Sequence, residues 1–405
     1  MPFEWIVAVR FLREGRIQSL LILLGVSVGV GVIIFLSALI TGLQARLIEN
    51  TLGTQAHIVI RPPDEIPRPM LKDQGFQVSS HVEKPAQRLR SILRWQQILE
   101  SIRQVQGVTA TAAVVSGPAF AARGTASKPV TLQGIERESF LHIINVEDKL
   151  LAGRFRITGT EAVIGTELAS DLGIVLGEKM RISTAEGRND VYTVTGIFDL
   201  GNRDINQRWV FISLRSAQSL LDLVGGVSTI EVKVADIFEA ETAAGHIADR
   251  TNLVADSWMK LNTQLLVGLR SQSSSSYMIQ VFVVIAVALG ISSVLVVSVV
   301  QKSREIGILK AMGAPTARVT RIFLIQGGLV GLVGSLLGVF LGIGLSLFFQ
   351  TLATNPDGSP TFPVNLNLLL YVRTAAIAML TGVASAVVPA RHAARLDPAE
   401  VIRYG

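Results

Sequence analysis

Cysteine is absent from all 405 residues. That excludes a disulfide framework, a thiolate metal site and a cysteine nucleophile, and it is compatible with an oxidising compartment. Charge is also scarce: Asp, Glu, Lys and Arg make up only 17% of the chain, against about a quarter in soluble proteins. Histidine occurs five times, at His57, His81, His142, His246 and His392, without the close spacing that a metal site requires. No metal is expected. Apolar residues reach 49% with a mean hydropathy of +0.47, too high for a water-soluble protein of this length.

The apolar residues gather in runs. Crossing a hydrocarbon core takes about 20 of them, and residues 17–42, 277–300 and 322–349 supply three runs without a charge. A fourth, 368–390, holds Arg373 near its start and Pro389 at its end, so Arg373 is expected to snorkel to the outer interface. The first run is longer than a signal-peptide core and lacks a small-residue cleavage site, which reads as a retained anchor.

Lysine and arginine set the orientation. Arg10, Arg13 and Arg16 precede the first run; Lys302, Arg304, Lys310, Arg318 and Arg321 follow the second; Arg391, Arg395 and Arg403 follow the fourth. Positive flanks mark the cytosolic side. Net charge is +6, but the basic residues sit beside spans and form no groove-reading helix, so no nucleic acid is expected. The chain is therefore read as a cytosolic N-terminal segment (1–16), span one (17–42), an external domain (43–276), span two (277–300), a cytosolic segment (301–321), span three (322–349), an external loop (350–367), span four (368–390) and a cytosolic tail (391–405).

Within the external domain the pattern is mixed α and β. Short β-rich runs at 57–62, 129–135, 178–184, 191–198, 208–214 and 228–234 are bounded by Gly, Pro or charges. Helical signals fall at Trp95–Val105, Glu167–Leu172 and Ile237–Arg250, the first as a 3.6-residue apolar stripe. The stretch 252–272 reads as a polar-faced helix entering span two, and the Pro-rich, charged stretch 61–84 as a long loop. The fold class is thus a bundle of four transmembrane helices with a large α+β domain inserted between the first two.

Two enzyme-like strings fail in context. GVSVG at 25–29 has nucleophile-elbow spacing but lies inside a span, and GIVLGEK at 173–179 lacks the spacing and the hydroxyl residue of a phosphate loop. Glycine is more informative: Gly327 and Gly331, then Gly334, Gly338 and Gly342, recur every four residues on span three, as do Gly25 and Gly29 on span one. Small residues at this spacing let helix backbones meet closely, within one chain or across a dimer seam. On the cytosolic side, Glu305, Ile306, Ile308, Leu309 and Met312 form an amphipathic helix that Gly313 and Pro315 end.

That segment, REIGILKAMGA, resembles the coupling segment of the FtsX-like and MacB-like permeases of ATP-driven export systems, and PARHAARLDPAEVIR at 389–403 is similar to the family's terminal signature. The external stretch TLQGIERESF…LLAGRF…EAVIGTELASDLGIVLGEKMRIS…YTVTGIFDLG keeps the family's order and spacing. LSALITGLQARLIENTLGTQAHIVI resembles the lipoprotein-releasing (Lol-type) branch. The resemblance implies a multi-pass inner-membrane permease that is not itself an enzyme. It carries no cofactor; ATP and Mg belong to a separate cytosolic ABC ATPase. A second permease subunit and a periplasmic lipoprotein carrier would complete the assembly. Arg304, Glu305, Gly307, Lys310, Ala311 and Gly313 would engage the ATPase, and Phe35, Leu39, Met278 and Phe282 would touch cargo. A MacB-like efflux permease for peptides or glycolipids and an FtsX-like subunit regulating a cell-wall hydrolase are the alternatives within the same family.

Overall fold

The computed structural model describes residues 3–63, 90–352 and 368–397. Most of the 61–84 stretch, the 353–367 loop, His81 and Arg403 lie outside them. The chain divides into two compact units, residues 1–47 with 267–405, and residues 48–266.

The elements run in chain order as follows. Helices α1 (Phe3–Glu14) and α2 (Arg16–Leu52) come first, then β1 (Ile58–Arg61), α3 (Trp95–Arg103), β2 (Val108–Arg123), β3 (Ala126–Ile135) and α4 (Arg137–Leu141). Next are β4 (Leu150–Gly153), β5 (Glu161–Gly165), α5 (Thr166–Leu172), β6 (Lys179–Ser183), β7 (Asn189–Phe198), α6 (Arg203–Arg208), β8 (Trp209–Ser213) and α7 (Leu214–Leu220). The domain ends with β9 (Thr229–Val234), α8 (Ala240–Thr251), β10 (Val254–Ser257) and α9 (Trp258–Leu261). Helices α10 (Thr263–Gln301), α11 (Ser303–Ala311), α12 (Thr316–Leu352), α13 (Leu368–Ser385) and α14 (Val387–Arg395) follow. Among the described residues four helical stretches are long and apolar enough to span a membrane: α2, α10, α12 and α13 with α14. The α+β domain is inserted between the first and second of these.

In that domain β2, β3, β8, β5, β7 and β6 pair in a closed ring, because β6 joins both β7 and β2. Strands β9, β1 and β10 extend from the N-terminal half of β2 as an open wing. The 16-residue β2 is the hinge of this arrangement. It pairs β9 as far as Val114 and β6 only from Phe120, so Pro118, which has no N–H to give, falls in the gap between the two partners. Apolar side chains alternate along β6 and β9 and join α3, α5, α7 and α8 in one core around Trp258. A second core lies around Phe211, whose ring meets those of Phe140, Phe155, Phe198 and Trp209.

Four strands, β2, β4, β5 and β10, are absent from the sequence reading. The first is rich in alanine and broken by Gly117 and Pro118, which hides its period. Strand β10 also overturns the continuous polar helix expected over 252–272: Val254–Ser257 pairs antiparallel with β1, and only from Thr263 does one long helix begin.

Glu231, on β9 opposite Val59 and Ala112, is out of place chemically. Its Oε2 is shut off from solvent and meets no donor. Burial pushes the carboxyl up from its ordinary 4.5 to about 7. The unfolded chain loses this proton near 4.5 while the folded chain keeps it until about 7, so the cost of burial grows as pH rises across that interval and is constant above it. Glu231→Gln, which stays neutral, is expected to raise stability by about 3 kcal/mol at pH 8 and to leave it unchanged near pH 4. Thermal unfolding of the detergent-solubilised chain at both pH values checks this; a difference that does not vary with pH overturns it.

Candidate functional site

The cytosolic end of the membrane unit is built from five elements, α10 contributing Val299. Ala8 and Phe11 of α1, Ile306 of α11, Val319, Ile322 and Phe323 of α12, and Ala390 and Ala393 of α14 form one buried cluster. The stretch 1–16 is therefore more than a leader to span one. Val7, Ala8 and Phe11 recur at helical spacing, and that signal was present in the sequence. Polar links fasten the cluster. Lys302 Nζ lies between the carboxylates of Glu14 and Glu305 and 5.7 Å from the centre of the Phe11 ring. The hydrogen bond to Glu14 holds the Lys302 ammonium above its ordinary value and, in return, keeps Glu14 below the usual carboxylate range. Arg318 at the start of α12 reaches Glu4 at 3.4 Å.

This packing sorts the segment expected to meet an ATPase into two faces. Ile306 and Gly307 are buried against the chain's own helices. Lys310 Nζ donates to the carbonyls of Ala394 and Leu396, at 3.0 and 2.6 Å, where it caps the end of α14. Gly307 and Lys310, expected at the partner, thus point into the subunit. Gly313 is where the backbone turns: its φ of +92° ends α11 as only glycine does without strain. Arg304, Glu305, Ile308, Ala311 and Met312 remain exposed.

The glycines of α12 face two different helices. A Cβ at Gly334 or Gly338 would lie 2.6 Å from Val26 or Val30 of α2, and one at Gly342 would lie 2.9 Å from Ile34. One at Gly327 would lie 2.5 Å from the Gly382 carbonyl of α13, and one at Gly331 would lie 2.9 Å from that of Ala378. On α2, a Cβ at Gly31 would lie 2.5 Å from Leu341 of α12, and one at Gly29 would lie 2.5 Å from Val287 of α10. Gly25 departs from this set. It is exposed with nothing within 4 Å of its Cβ position, because α10 comes within reach one turn later, at Gly29. GVSVG is an uninterrupted part of α2 with Ser27 buried, so no strained turn presents a nucleophile.

A cavity of about 330 Å³ opens among α2, α10 and α13. One wall carries a hydrogen-bonded ladder: Gln44 Nε2 donates to Ser273 Oγ at 2.8 Å, and Gln280 Nε2 to Ser37 Oγ at 3.1 Å. Arg373 and Thr374 line the wall on α13. None of the residues expected at cargo lines it. Phe35 instead packs edge-on against Phe349 with ring centres 5.6 Å apart, Leu39 is half-buried, and Met278 and Phe282 are well exposed. Each pair stands two residues from the polar stripe, about 200° around the helix. The stripe itself, 37, 41 and 44 with 273, 276 and 280, has helical spacing and was legible.

Two family models match the chain: the MacB-like periplasmic core domain over residues 19–250 and the FtsX-like permease C-terminal region over residues 277–398. The chain is 24% identical to the lipoprotein-releasing system transmembrane protein LolC of Xylella fastidiosa, covering 100% of this chain and 99% of that protein. It is 25% identical to the LolC of Neisseria meningitidis over 76% of this chain and 81% of that one. It is also 24% identical to the macrolide export ATP-binding/permease protein MacB of Wolinella succinogenes, over 97% of this chain and 59% of that protein.

Proposed function

The chain belongs to the family of permeases that join a MacB-like periplasmic core domain to an FtsX-like C-terminal region, and from that membership we propose that it is the permease subunit of an ATP-driven export system that releases lipoproteins from the inner membrane toward a periplasmic carrier. The observation that carries this reading is the end-to-end similarity to relatives named for lipoprotein release. ATP and Mg are placed on a separate cytosolic ATPase, received by the exposed face of α11, and a second permease subunit completes the membrane assembly. Spans without buried charge suit a machine that lifts an acylated protein out of the outer leaflet without conducting it through the bilayer.

Co-reconstitution of the chain with its ATPase and any second permease subunit, in vesicles loaded with an acylated lipoprotein, tests the proposal. ATP-dependent appearance of that lipoprotein in the soluble fraction with a carrier protein is the expected result. ATP hydrolysis without release, or release of peptides and glycolipids alone, overturns it.

A further inference from the structure

The cavity among α2, α10 and α13 is graded from one end to the other. At the end remote from the cytosol its lining carries Gln44, Ser273 and Arg373 beside Leu370, and at the other end Val30, Val287 and Ile377 beside Thr381. The wall amides are already satisfied by the wall hydroxyls. Arg373 differs: among the described residues its guanidinium makes no hydrogen bond or ion pair. Charge in the surroundings is one-sided as well. The described carboxylates of the membrane unit, Glu4, Glu14, Glu305 and Asp397, all lie toward the cytosolic end, and Asp357 lies outside the described residues. The ends of α2, α10 and α13 remote from the cytosol carry Arg46, Arg270 and Arg373 against one carboxylate, the exposed Glu49 of α2.

Arg373 is exposed near the start of α13, where an unpaired guanidinium attracts an anionic headgroup, and a slot with a cationic, hydrogen-bonding end and a largely apolar one has the polarity profile of a lipid. We propose that this cavity holds a resident membrane lipid of the anionic phospholipid class, its phosphate paired with Arg373 and one acyl chain between α2, α10 and α13. Guanidinium pairs with a phosphate through two parallel hydrogen bonds, which an ammonium does not reproduce. The site goes beyond the permease reading and does not depend on which cargo is released.

Native mass spectrometry of the purified full chain in detergent, supplied with phosphatidylglycerol and phosphatidylcholine of identical acyl chains, tests this. Wild type is expected to retain phosphatidylglycerol about fivefold over phosphatidylcholine, the ratio given by one basic side chain at an anionic headgroup. That preference should disappear in Arg373→Gln. Ile377→Trp, which fills the apolar end, should lower retention of both lipids together. Should Arg373→Gln fail to fold, the wild-type preference must still collapse in 1 M salt. Equal retention of the two lipids by wild type overturns the proposal, as does a preference that survives Arg373→Gln. Displacement by inorganic phosphate alone would make it a free-phosphate site, and displacement by an acylated peptide but not by excess phosphatidylglycerol would make it a cargo site; either result also overturns it.

Discussion

Gly338→Leu is expected to cost about 3 kcal/mol or more and to cut the yield of folded protein sharply, because there is no slack around this position. Even a Cβ would stand 2.6 Å from the Val30 Cβ and 2.8 Å from the Ser27 carbonyl. A flexible side chain can move aside; a helix backbone moves only if α2 and α12 separate. Separation would undo the neighbouring contacts at Gly334 and Gly342 as well, since all three lie on one stripe against Val26, Val30 and Ile34. Lipid offers apolar side chains nothing worse than the protein does, so close approach of small residues is what holds such helices together. Gly344→Leu is the internal control. It lies on the same helix, exposed, with nothing within 4 Å of its Cβ position, and replacing glycine inside an exposed helix is neutral to mildly favourable. Thermal unfolding in detergent compares the pair. Equal melting of Gly338→Leu and wild type would show that α2 and α12 do not meet through these glycines.

The spans and the orientation were legible because hydropathy and basic flanks are local properties that a bilayer reads directly. Helix α11 was legible for a related reason: Gly313 and Pro315 punctuate a short apolar period, and the turn with positive φ lies at that glycine. The faces of the helices were not. Whether Gly307 points outward depends on α1 and α14, which approach from residues about 300 positions away and 80 positions away in the chain; no window around 304–312 contains them. The ring of six strands was hidden likewise. Its closure depends on β6 reaching both β2 and β7, and β2 itself is written in alanine, a residue with little preference for strands. Cargo residues were sought among large apolar side chains, yet in spans made mostly of such residues they carry little information. The rarer hydroxyls and amides mark the cavity.

The exposed face of α11 is where the permease reading meets its most demanding test. Arg304, Ile308, Ala311 and Met312 are separated by four, seven and eight positions, which puts them on one side of the helix. Ile308 is 46% and Met312 80% exposed, at the end of the membrane unit where basic residues mark the cytosol. Exposed apolar side chains on a helix whose other face is locked by Ile306 and Lys310 fit a groove on a partner, and buried apolar anchors carry most of an interface's energy. Met312→Glu and Ala311→Glu are therefore expected to lower co-purification of the cytosolic ATPase about tenfold or more. Glu305→Lys should do less: it breaks an exposed pair with Lys302 that is worth little alone. Gly307→Trp should lose folded protein rather than partner, since that position is buried. A helix that merely rests on the bilayer surface gives a different pattern, in which Met312→Glu loosens membrane seating while ATPase capture and ATP-dependent release stay intact. Co-purification, hydrolysis and release measured on the same variants separate the two. Full retention of all three activities in Met312→Glu and Ala311→Glu would leave α11 without a partner.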